Sequence, residues 1–164
     1  IQTAELLETI VDRTLALLND GSPPHVDIVT DIDLPVSASP WLQPVYDEAE
    51  FIVRNVIRHY GGWFSGRPSE LKPASRNAVA TEVADLAGGA GALLDRAETL
   101  AAAGDLRLAC HLADFALESA PADETVQDRV AAIYEQRAGD ETGLMSINIF
   151  NSAAAYARDG RPYR

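Results

Sequence analysis

A chain of 164 residues with 47% apolar side chains is long and greasy enough to build a core unaided, which excludes a disordered polymer. Against 13 Lys+Arg stand 25 Asp+Glu, a net charge of −12, which argues against nucleic acid or an anionic membrane surface as partner. The single cysteine, Cys110, excludes an intramolecular disulfide, and no run of about 18 apolar residues could cross a bilayer.

The first segment, TAELLETIVDRTLALLND, places Leu7, Ile10, Val11, Thr14, Leu15 and Leu18 at helical spacing. Thr3 is the expected cap, and Asn19-Asp20-Gly21 followed by Pro23-Pro24 ends the helix. HVDIVTDI then reads equally as a short strand or a short helix; its aspartates lack the glycine and terminal glutamate of a calcium loop. Ser39-Pro40 opens a further helix, which Pro44 kinks or restarts. From Val45 an apolar stripe runs through Ala49, Ile52, Val53, Val56 and Tyr60, and Gly61-Gly62 stops it. Beyond Ser75 the composition turns alanine-rich, and helices are predicted at 75–87, 90–103, 105–119, 123–138 and 143–158. Their short links demand antiparallel neighbours. Within them, Gly104, Ala109, Ala116 and Pro121 match the small-residue and proline offsets of one tetratricopeptide unit. The expected fold is therefore all-α, a helical bundle with a tetratricopeptide-like helix pair in its second half.

Catalytic spacing is missing from this sequence. His25, His59 and His111 stand far apart, and no H-E-x-x-H, C-x-x-C, G-x-S-x-G or phosphate-binding loop occurs. Cys110, within LRLACHLADFAL, reads as a small buried hydrophobe. Arg54 and Arg58 share a helix face and could grip an anion; pairing with Glu50 and Asp47 one turn earlier is the simpler expectation. No catalytic and no metal-ligating residue is assigned. Asn148 and Asn151, three apart on the last helix, could line a peptide groove or simply face water.

The residues W-L-Q-P-V-Y (41–46), F-I-V-R-N-V (51–56), Y-G-G-W-F-S-G (60–66) and L-K-P (71–73) resemble the alkyl sulfatase dimerisation domain. The resemblance continues through L-A-G-G-A (86–90), A-G-D-L-R-L-A (103–109), H-L-A (111–113), A-P-A-D (120–123) and L-M-S-I-N-I-F (144–150). It implies a homodimerisation module following a zinc-dependent metallo-β-lactamase-fold hydrolase domain, with the zinc and its ligands upstream and no cofactor in this chain. It also implies a division at 40/41, residues 1–40 leading out of the upstream domain and 41–164 forming the dimerising part. Members of this family often carry Gly-x-x-x-His-Asn where this sequence reads D-E-A-E-F-I (47–52), so the resemblance points to a related hydrolase without fixing its ester. The chain begins at Ile1 and looks trimmed, so a leader would lie upstream; a cytoplasmic location is favoured, and secretion stays open.

The joint candidates are Tyr60, Gly61, Gly62, Trp63, Phe64, Gly66 and Pro68. Gly61-Gly62 lets the chain turn sharply, and Trp63-Phe64 presents two large apolar bodies just beyond. They are expected to pack under the second half or into a partner subunit; an aromatic wall beside a neighbouring active site is the alternative. The rival to dimerisation is a peptide-docking scaffold built on the tetratricopeptide-like pair.

Overall fold

The computed structural model describes residues 2–21, 27–34 and 39–163, and all regular structure among them is helical. Two compact units follow one another, divided between Pro73 and Ala74.

In the first unit α1 (Gln2–Asp20), α2 (Ile28–Asp31) and α3 (Ala49–Tyr60) surround a small core of Ile10, Ile28, Val29, Ile32 and Val53. Leu6, Leu17 and Leu18 of α1 pack on it, whereas Leu7 is exposed, so the buried stripe is rotated from the one expected. Thr3 lies inside α1 and is not its cap. Thr14 is fully buried, and its hydroxyl donates to the Ile10 carbonyl oxygen at 2.7 Å, so no polar atom is stranded. Of the two forms open to HVDIVTDI, the described part takes the helical one, a single turn with Ile28 and Val29 inward; His25 and Val26 lie outside the described residues.

The helix expected from Ser39-Pro40 is a 3-10 turn, Pro40–Leu42. Pro44 holds Gln43 extended (φ −78°, ψ 143°), so helix resumes only at Ala49. Two members of the predicted stripe are corrected accordingly: Val45 is 73% exposed ahead of the helix, and Tyr60 is 62% exposed at its end. Val53 and Val56 are buried, and Ala49 and Ile52 are half-buried.

The second unit comprises α5 (Arg76–Ala87), α6 (Ala90–Ala102), α7 (Leu106–Ser119), α8 (Glu124–Gly139) and α9 (Leu144–Arg158), each within two residues of its prediction. Three of the five starts carry side-chain caps: Ser75 accepts from Ala78 N, Asp105 from Leu108 N and Asp123 from Thr125 and Val126 N, while α6 and α9 start after Gly89 and Gly143. Gly88 and Gly89 both take positive φ (95° and 112°), which allows α5 to turn into α6 with almost no loop. The core is one continuous cluster centred on α7, whose fully buried Ala109, Ala113 and Ala116 allow α5, α6 and α8 to approach closely. On the surface, Arg129 of α8 ties α6 through Asp95 (2.6 Å) and Glu98 (2.7 Å).

Candidate functional site

α3 ends where the Gly61 N–H donates to the Ile57 carbonyl at 2.7 Å. Gly62 then takes φ +84°, a conformation that a side chain would strain, and the chain turns back. Trp63 emerges 79% exposed, its ring edge-on to Phe64 with centroids 5.9 Å apart. Gly66 (φ +90°) turns the backbone again, and Pro68 opens the one-turn helix α4 (Pro68–Leu71).

Gly62, Trp63 and Phe64 line a cleft of about 340 Å³ with Arg54, Arg58 and Ile57 of α3 and Val29 of α2. The structure thus brings part of the predicted joint onto the arginine-bearing face of α3. Tyr60, Gly61, Gly66 and Pro68 lie outside that lining; Tyr60 meets the His59 ring edge-on at 4.7 Å. The expected pairing of Arg54 and Arg58 with Glu50 and Asp47 does not form: among the described residues neither guanidinium has an ion pair, and the Asp47 carboxylate instead accepts from the Glu48 N–H at 2.9 Å. Pro44 explains the second case, since Asp47 precedes the helix and does not occupy a turn of it.

A second cleft, about 460 Å³, opens at the other end of α3. Ile10, Leu34 and Ile52 supply its apolar lining, Asp47, Glu48 and Glu50 its acids, and Trp41, 87% exposed, one of its walls. Sequence reasoning missed this cleft, although its signal is present: in DEAEFIVRNVIRH the acids come first and the bases last.

The second unit contains a polar cluster that no spacing announced. The Tyr134 hydroxyl donates to the Asp114 carboxylate between α8 and α7. Burial, then the nearby Asp114 charge, pushes the tyrosine up; burial also raises Asp114, with the Tyr134 hydrogen bond opposing. Cys110, one turn before Asp114, is pushed up to about 11, chiefly by burial and then by Asp114, so its thiol is a poor nucleophile. Arg137 pairs with Glu141 and lies over the Phe150 ring, 5.2 Å from its centroid. Asn148 and Asn151 are both exposed on α9. Among the described residues no three His, Cys, Asp or Glu side chains form a metal-holding group, and no helix is long and apolar enough to cross a membrane.

The family model of alkyl sulfatase dimerisation matches residues 25–160. This chain belongs to that family. The linear primary-alkylsulfatase of a Pseudomonas species is 27% identical over 150 residues, which cover 90% of this chain and 27% of the relative. An alkyl/aryl-sulfatase of Saccharomyces cerevisiae is 26% identical over 162 residues, 98% of this chain and 25% of the relative. Among solved structures, a stereoselective inverting sec-alkylsulfatase from Pseudomonas sp. superposes with a TM-score of 0.82 at 23% identity, covering 93% of this chain and 24% of its own. A double mutant of a sec-alkyl sulfatase gives 0.84 at 24%, covering 98% and 26%. These superpositions show that the chain shares the fold of a part of each of those two chains. The chain spans about a quarter of the length of the curated relatives it matches.

Proposed function

We propose that this chain is the self-association module of a larger hydrolase, forming a homodimer and supplying no catalytic group of its own. The observation that carries this is the pair of exposed tryptophans, Trp41 and Trp63, each walling a cleft at one end of α3. Large aromatic side chains beside apolar clefts are the usual anchors of protein interfaces. Family membership supports the same reading. The joint residues Tyr60, Gly61, Gly62, Trp63, Phe64, Gly66 and Pro68 then shape one edge of the interface, with the glycines setting the turn and the aromatics making contact. Residues 1–40 lead out of an upstream domain and 41–164 carry the dimerising role, with α1 folded onto α3 as part of the same unit. Zinc and catalysis are assigned to a preceding metallo-β-lactamase-fold domain. The relatives are named as alkyl and alkyl/aryl sulfatases, and a related sulfate-ester hydrolase is the corresponding reading of the whole protein.

Light scattering on the 17.6 kDa chain tests the proposal. A dimer at micromolar concentration is expected, with an interface above about 2,000 Å² in total. Trp63→Ala should weaken it at least tenfold with helicity unchanged, since a hot-spot aromatic contributes roughly 2 kcal/mol or more. A monomer at that concentration refutes it.

One observation favours a second reading, a tetratricopeptide-like peptide scaffold. The α6–α7 pair turns at Gly104 (φ +87°) and closes over fully buried Ala109 and Ala116, at the offsets of that repeat. A monomer that binds peptides through the second unit would support it.

A further inference from the structure

Charge is segregated along α3. Asp47, Glu48 and Glu50 stand at its N-terminal end, while Arg54 and Arg58, one turn apart, occupy its C-terminal half. Val53 and Val56 turn inward to the core, so both arginines project outward and are exposed. Neither arginine has an ion pair among the described residues, in a chain whose net charge is −12. Beside each end lies an exposed tryptophan, Trp63 at the basic end and Trp41 at the acidic end.

A surface of this kind is complementary to itself in one orientation only. A two-fold interface apposes the same patch on both copies. With the helices parallel, arginine would meet arginine and acid would meet acid, each juxtaposition costing several kcal/mol. With the helices antiparallel, the basic cleft of each copy meets the acidic cleft of the other.

We propose that two copies meet along α3 in antiparallel register, so that Arg54, Arg58 and Trp63 of one copy engage Asp47, Glu50 and Trp41 of the partner subunit. The two-fold axis passes near the level of Ile52: at about 1.5 Å per residue, Glu50 and Arg54 lie roughly 3 Å to either side of it and Arg58 about 9 Å away. Symmetry supplies the contact twice. This rests on the homodimer reading and adds to it the surface, its direction and the paired groups. A small anion or an unrelated acidic protein would satisfy the arginines, but neither uses the matching acidic cleft at the other end of the same helix.

Two charge-reversal variants of the full chain test the register by sedimentation and mixing. R54E/R58E and D47K/E50K should each keep wild-type helicity by circular dichroism and raise the dimer dissociation constant about 100-fold, because like charges then face each other in both symmetry-related contacts. Mixed in equal amounts they should recover a one-to-one heterodimer within about tenfold of the original affinity, since both contacts are again complementary. The neutral pair R54Q/R58Q, safer for folding, should lose about tenfold and most of its salt sensitivity. If either reversal dimerises as tightly as the unmodified chain, or the mixture stays monomeric, the register is overturned while the dimer stands. If the unmodified chain is monomeric, the homodimer reading falls, and this one with it.

Discussion

Gly160 and Gly104 offer a matched pair of substitutions within the second unit. Both have left-handed backbones, with φ of +65° and +87°. A Cβ at Gly104 would meet nothing within 4 Å. A Cβ at Gly160 would overlap the Pro121 carbonyl oxygen and lie 2.8 Å from Gln127 Nε2, the group that donates to that same carbonyl at 2.8 Å. Gly104→Ala therefore carries only the left-handed penalty, about 1–2 kcal/mol. Gly160→Ala adds a backbone clash and the loss of a hydrogen bond worth about 1 kcal/mol, for a total of roughly 3 kcal/mol or more. At about 2.1 cal/mol/K per residue, a unit of roughly 90 residues melts with an entropy near 0.19 kcal/mol/K, so each kcal/mol moves Tm by about 5 °C. Thermal melts followed by circular dichroism should show Gly104→Ala falling about 5–10 °C and Gly160→Ala about 15 °C or more. Equal shifts, or a larger one at Gly104, would refute the reasoning that crowding at Pro121 fixes the Gly160 turn.

The cysteine and the tyrosine–aspartate pair give three further tests. With its thiol held at about 11, Cys110 should react with iodoacetamide at pH 8 about 100-fold more slowly than an ordinary cysteine, since two pH units separate their thiolate populations. Its folded value exceeds the unfolded one, so stability is intact below pH 9 and declines as pH rises from about 9 towards 11; Cys110→Ala should remove that component of the alkaline loss, measured by denaturant melts across the range. Tyr134→Phe removes the hydrogen bond from a buried hydroxyl to the exposed Asp114 carboxylate and should cost about 1 kcal/mol by urea denaturation, since water can take the donor's place at the carboxylate.

The legibility of the fold follows the kind of signal each segment carries. In the second unit, alanine-rich periodicity, capping Ser75, Asp105 and Asp123, and glycines at the links all point to the same boundaries, so each helix was placed within two residues. The first unit carries conflicting signals. Ser39-Pro40 is a sound helix start, but Pro44 cancels it within one turn, and no local pattern says that helix resumes at Ala49 and not at Val45. The turn after α3 was legible because paired glycines stop a helix; the cleft beside it was not, because Val29 reaches it from a different helix. Likewise Tyr134 and Asp114 are separated by 20 residues and meet only because α7 and α8 pack side by side.

The alanine seam of α7 makes that helix a spacer as well as a wall. Ala109, Ala113 and Ala116 leave no room to spare on sides where three other helices press, so a methyl group added there cannot be absorbed by a local rotamer change. It would wedge neighbours apart along their whole length. Enlarging a single residue at the hub should thus disturb distant helix ends more than trimming a leucine at the rim, which makes this domain sensitive to gain of bulk at its centre and forgiving of loss at its edge.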